Sequence, residues 1–133
     1  MIKKTIIISL LLITTIVAET ITDDSFKEKI IGKWEIKIDK ENFKLKGHYI
    51  YKEDGTLKSE ATLMSSNTKL EFNLSGTWKV KEGNFTTTIL KSNYPEVVPV
   101  GLSTTDKIIF INQKEFKYKT QTGSISVQTK LKQ

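Results

Sequence analysis

The sequence predicts an all-β fold: eight or nine short antiparallel strands behind one short helix. Three observations carry this reading. From Trp34 onward, apolar and polar residues alternate with period two, the signature of half-buried strands. Clusters of turn-forming residues recur at short intervals, among them Asp54-Gly55, Ser65–Thr68, Lys81–Asn84 and the surroundings of Gly123. No segment after Gly32 shows helical spacing. Strands of this number and length close into a barrel or stack as a sandwich.

The elements follow in order. Asp23–Ile31 is the helical segment, with Ser25 and Glu28 at capping-box spacing and Phe26 and Ile30 on one face. Gly32 is placed to end it. Trp34, Ile36 and Ile38 then alternate with Lys33, Glu35, Lys37 and Asp39. Phe43, Leu45, Tyr49 and Tyr51 continue the pattern on the next strand. Asp54-Gly55 marks a tight hairpin, because these residues tolerate positive φ. Leu57, Ala61 and Leu63 lie on the returning strand. Leu70, Phe72, Leu74, Gly76, Trp78 and Val80 share one face of a long strand, with a bend or bulge expected at Gly76. Phe85–Leu90 follows. Asn93–Pro99 holds both prolines and reads as a loop, with Val100–Leu102 as the start of a short strand. A turn at Thr104–Asp106 precedes strands over Lys107–Asn112, Glu115–Thr122 and Ser124–Leu131. The phrase Gly-x-Trp occurs at Gly32 and again at Gly76, each time opening a run with a β-branched residue two places on. One packing rule accounts for both: glycine lets the chain bend, and the residues after it alternate inward.

The first residues address the compartment. Met1–Lys4 is a cationic start and Thr5–Val17 an apolar stretch, with Ala18 a small residue for cleavage. This pattern is that of a secretory signal peptide over residues 1–18, leaving a single domain over 19–133. The apolar run is too short to span a bilayer in the ordinary way. An uncleaved anchor is the alternative. The expected location is the periplasm or the extracellular space, with no stable membrane span after cleavage.

Composition narrows the chemistry. The whole chain carries a formal charge of +6, and all 21 basic residues are lysine. Lysine lacks the bidentate fork of arginine, and the lysines are scattered over outward positions, so no nucleic-acid partner is expected. The chain has no cysteine, which removes disulfides, lipid attachment at a cysteine, thiolate zinc sites and thiol catalysis. His48, the sole histidine, falls on the lysine-bearing face of its strand, away from a metal or general-base role. The acids lie in turns or on polar faces, and none is expected inside an apolar pocket. No phosphate-binding loop, dinucleotide fingerprint or nucleophile elbow occurs. Neither an enzyme activity, a cofactor nor a metal is therefore expected.

Three phrases in order carry a family likeness: Gly32-x-Trp34 after a short helix, Asp54-Gly55-Thr56 after a tyrosine-bearing strand, and Gly76-Thr77-Trp78 followed by Glu82-Gly83. With them, residues 23–122 resemble the small bacterial lipocalin-like domains of the calycin group. The resemblance implies an eight-stranded up-and-down antiparallel barrel with an internal or end-opening cavity. Lipocalins commonly pack a late arginine across the first-strand tryptophan. This chain has none, and Lys117 or Lys119 is the expected substitute over Trp34.

Two functions follow. The first is an exported, non-enzymatic binding protein that takes a small apolar or amphipathic molecule into the barrel mouth. Its candidate contacts are the inward aromatics Trp34, Tyr49, Tyr51, Phe72, Trp78, Phe110 and Tyr118. An eight-stranded barrel is just wide enough to be filled by side chains or to hold one small ligand, so packing alone is the competing reading of this set. The second is a protein-interaction module, an inhibitor or envelope-complex subunit, binding through loops such as 93–99 with exposed Tyr94, Val97 and Val98.

Overall fold

The computed structural model describes residues 21–132. The expected signal peptide lies outside the described residues. Helix α1 spans Asp23–Ile30. Eight strands follow: β1 (Gly32–Asp39), β2 (Phe43–Tyr51), β3 (Thr56–Ser65), β4 (Thr68–Lys81), β5 (Asn84–Ser92), β6 (Ser103–Ile111), β7 (Glu115–Lys119) and β8 (Ile125–Lys130). Each pairs antiparallel with the next, and β8 returns to β1, so the sheet is a closed up-and-down barrel. Closure rests on two residue pairs, Trp34–Lys130 and Glu35–Thr129, extended by the Leu131 amide donating to the Lys33 carbonyl at 2.8 Å.

Helix α1 plugs one end. Its cap is Thr22, whose hydroxyl accepts from the Ser25 amide at 3.1 Å, so Ser25 lies in the first turn and not at the cap. Asp23 and Asp24 at its start and Lys27 and Lys29 near its end suit the helix dipole. Two buried residues, Phe26 and Ile30, face the barrel. The Phe26 ring meets those of Phe85 and Phe116 at 5.2 and 5.3 Å. The Asp23 carboxylate accepts from the amides of Glu82 and Gly83, tying the helix to the β4–β5 turn.

The two Gly-x-Trp phrases play one structural part. Trp34 is fully buried and donates its ring N–H to the last helical carbonyl, Ile30, at 2.8 Å. Trp78 donates likewise to the Lys52 carbonyl at 2.9 Å, fixing the β2–β3 turn. That turn is pinned again by Asp54, whose Oδ1 accepts from the backbone and hydroxyl of Thr56. These two bonds to Thr56 hold the exposed Asp54 carboxyl below its usual range. The ammonium over Trp34 comes from Lys130, 5.2 Å from the ring, and not from Lys117 or Lys119. Lys130 is the strand partner of Trp34, and its Nζ also donates to the Lys29 carbonyl.

Two bulges shape the rest. The register slips between Ser75 and Gly76, where a β-carbon on Gly76 would run into the Thr88 carbonyl oxygen. This is the bulge the sequence marked. A second slip, between Ile108 and Phe110, carries no sequence mark. Val100–Leu102 forms no strand. Instead β6 starts at Ser103 and takes in Thr104–Asp106, the segment expected to turn. Thr104 and Asp106 have the same strand parity as Ile108, so the ladder to β5 extends the strand backward through them.

Candidate functional site

The barrel interior divides into a packed end and a hollow one. At the helix end, Phe26, Ile30, Trp34, Trp78, Val80, Phe85, Ile111 and Phe116 form a continuous core. Beyond it lies a cavity of ≈ 340 Å³. Ile36, Leu74, Ile89, Val98 and Leu102 line it among apolar residues. Tyr49, Tyr51, Tyr118, Asp106, Gln128 and several threonines line it among polar ones.

Register places the polar set. Asp106 pairs with Phe85, one of the core aromatics, and Gln128 pairs with Phe116. Tyr49 pairs with Trp34 across β1–β2 and with Ser59 across β2–β3. The polar groups therefore stand directly on the packed core, as a floor. Val98 and Leu102 belong to the β5–β6 loop and stand at the opposite, open end.

The floor is a hydrogen-bonded set with one gap. Tyr51 donates its hydroxyl to Gln128 Oε1 at 3.1 Å, and Gln128 Nε2 donates to the Tyr118 hydroxyl at 3.2 Å. Gln128 and Ser59 are both buried. The Tyr49 and Tyr51 rings stack at 5.7 Å. Asp106 is 9% exposed, and its Oδ1 is enclosed without a hydrogen-bond partner among the described residues. Burial pushes its carboxyl up to about 6 from 3.8. Burial also raises all three tyrosines above 10.0, with the Asp106 charge adding to the rise.

The structure brings together three of the seven aromatics expected at a site: Tyr49, Tyr51 and Tyr118. Trp34 and Trp78 belong to the packed core and do not line the cavity. Phe72 is buried against Tyr94 of the β5–β6 loop, with ring centres 6.0 Å apart. Tyr94 and Val98 are accordingly half-buried, and only Val97 of the three loop residues expected to be exposed is so. Phe110 is a correction of a different kind. The bulge after Ile108 turns it to the outer surface, where it pairs with Lys117 and the ammonium lies 5.9 Å from the ring.

Asp106 overturns the expectation that no acid enters an apolar pocket. Threonines and aspartate next to a lysine read as a turn, which hid it. Its parity with Ile108 was the available signal. Gln128 and Ser126 were hidden differently. On β8 the usual alternation is inverted, with Ser126 and Gln128 inward and Ile125 and Val127 exposed.

A larger groove of ≈ 600 Å³ lies on the outer face, lined by Lys33, Glu35, Lys46, His48, Glu60 and Glu71 among others. His48 stands there, 3.8 Å from Glu60, as its strand parity implied. This groove is an open, mainly polar surface, whereas the interior cavity is bounded by apolar walls inside the barrel. The interior is therefore the better ligand site despite its smaller volume. Among the described residues, no group of three His, Cys, Asp or Glu side chains is arranged to hold a metal. No helix among them is long and apolar enough to cross a membrane.

The fold and site define a closed eight-stranded antiparallel barrel with an interior cavity. A solved structure of an uncharacterized protein from Bacteroides eggerthii DSM 20697 is similar to it, at 16% identity and a TM-score of 0.49. The match covers 77% of this chain and 99% of that one. No family model matches the chain, and no curated protein matches it.

Proposed function

We propose that this is an exported, non-enzymatic binding protein of lipocalin-like type that holds one small amphipathic molecule inside its barrel. The cavity carries this reading. A volume of ≈ 340 Å³ falls at the lower end of ordinary small-molecule sites. Apolar walls above a polar floor suit a molecule with a tail and a head group. The non-enzymatic part is supported by what surrounds Asp106. Among the described residues, the cavity lining holds no second carboxylate, histidine or lysine with which to divide acid and base roles. Export rests on the leader-like first 18 residues.

Native mass spectrometry of protein purified without detergent, together with titration by the neutral fluorescent probe N-phenyl-1-naphthylamine, tests the reading. A copurified small molecule, or saturable binding of one probe per chain, is expected. Absence of both overturns it.

The rim gives a second reading some support. Leu90, Val97, Val100 and Leu102 are 54%, 50%, 58% and 43% exposed around the open end. Such a collar suits contact with a protein partner, as the interaction-module alternative requires. It equally suits entry of an apolar ligand, and the filled-or-empty state of the cavity separates the two.

A further inference from the structure

We propose that the head group bound at the cavity floor is a protonated amine, and that Asp106 is its counter-ion. This rests on the ligand-binding reading above and specifies the class of ligand. Three observations lead to it.

The first is the unpartnered carboxylate. Asp106 is nine-tenths buried, with Oδ1 enclosed and lacking a hydrogen-bond donor. A buried polar atom without a partner is uncommon and costly, and a ligand donor at this floor would remove the deficit. The second is the placement of lysine. The chain's 21 basic residues are all lysine, and among the described residues no lysine lines the cavity. The barrel thus offers the carboxylate no internal cation and offers an anionic ligand no attraction. The third is the surrounding set. Tyr49 and Tyr51 from β2 and Tyr118 from β7 are the other titratable groups facing this space. Their hydroxyl oxygens and ring faces both suit an ammonium group. Above them, Ile36, Leu74 and Ile89 accept an alkyl or aromatic tail.

A carboxylate–ammonium contact here would be a charge-assisted bond in an enclosed space, where pairing offsets the cost of removing both charges from water. An alcohol can donate to the same oxygen but brings no charge. A carboxylate ligand meets repulsion. With Asp106 titrating near 6 and the tyrosines raised above 10.0, only Asp106 changes charge in the cavity between pH 5 and pH 7. An alkylamine stays protonated over that range. Its affinity should therefore rise by about tenfold from pH 5 to pH 7, as the fraction of ionised Asp106 rises.

Calorimetric titration of the purified protein with octylamine, octan-1-ol and octanoate tests the assignment. Octylamine is expected to bind tightest, at least about tenfold better than octan-1-ol at pH 7, and to tighten with pH as stated. Asp106→Asn should abolish both the amine preference and its pH dependence. Equal or tighter binding of octan-1-ol or octanoate by the unaltered protein overturns the amine assignment but leaves the ligand-binding reading standing. Failure of all three compounds to bind overturns both. The head-group series on the unaltered protein decides the matter even if the variant folds poorly.

Discussion

The two ends of one barrel are built from the same alternating pattern and end up different. At the helix end, inward positions carry Trp34, Trp78, Phe85 and Phe116, and α1 adds Phe26 and Ile30. At the open end, inward positions carry Thr87, Thr104, Leu74 and Ile89, and loops rather than a helix border the mouth, with Val98 and Leu102 from β5–β6 and Thr120 from β7–β8. Alternation decides which way a residue points. Side-chain volume and the presence of a plug decide whether the space inside is filled. The comparison teaches that a strand pattern alone cannot separate a packed barrel from a hollow one.

Substitutions at the two ends should respond unequally. The largest effect is expected for Phe116→Ala. Its ring is fully buried and meets Phe26, Trp34, Phe85 and Tyr118. Losing it should cost about 3–5 kcal/mol in urea unfolding. A like-for-like pair sharpens the contrast. Ile111 is 3% exposed, packs into the core and does not line the cavity, whereas Ile89 is half-buried on the cavity wall. Ile111→Ala should cost about 3 kcal/mol and Ile89→Ala about 1 kcal/mol, because the second site already borders empty space. Equal costs, measured by the same unfolding curves, would mean the cavity is filled in solution.

The boundary between the two ends gives smaller effects. Gln128→Leu keeps the side-chain size but removes the acceptor of Tyr51 and the donor to Tyr118. It should cost about 2 kcal/mol. Asp106→Asn should act in the opposite direction. The folded carboxyl sits near 6, above its ordinary 3.8, so the folded protein binds the extra proton between those values. Stability from this group is therefore full at pH below about 4, falls as pH rises through about 6, and levels off above. Removing the charge should stabilise the protein at pH 7, by at most about 3 kcal/mol, and by far less at pH 4. Thermal melts of both forms across that range check the sign.

Much of the barrel was legible because burial and local preference agree. The strands at Trp34 and Leu70 alternate most clearly, and Asp54-Gly55 has the chemistry of the turn it makes. The site was less legible because its residues break the pattern. Asp106 belongs inside by parity but has the character of a turn residue. Phe110 belongs inside by parity and is turned out by a bulge in an unbroken apolar run, Ile108 to Ile111, where period two leaves no trace. Gln128 sits on a strand whose polar side faces in. Each departure exchanges a favourable local choice for a polar group in the cavity or an apolar one outside it.

The central claim is that the hollow end of the barrel takes a small molecule. The most direct test is a titration of isotope-labelled protein with octan-1-ol, followed by amide chemical shifts. Saturable shifts at Leu74, Thr87, Ile89, Leu102 and Thr104, with His48 and Glu60 unmoved, are the predicted result. Shifts confined to the outer groove around His48, or no saturable shift at any concentration, would contradict it.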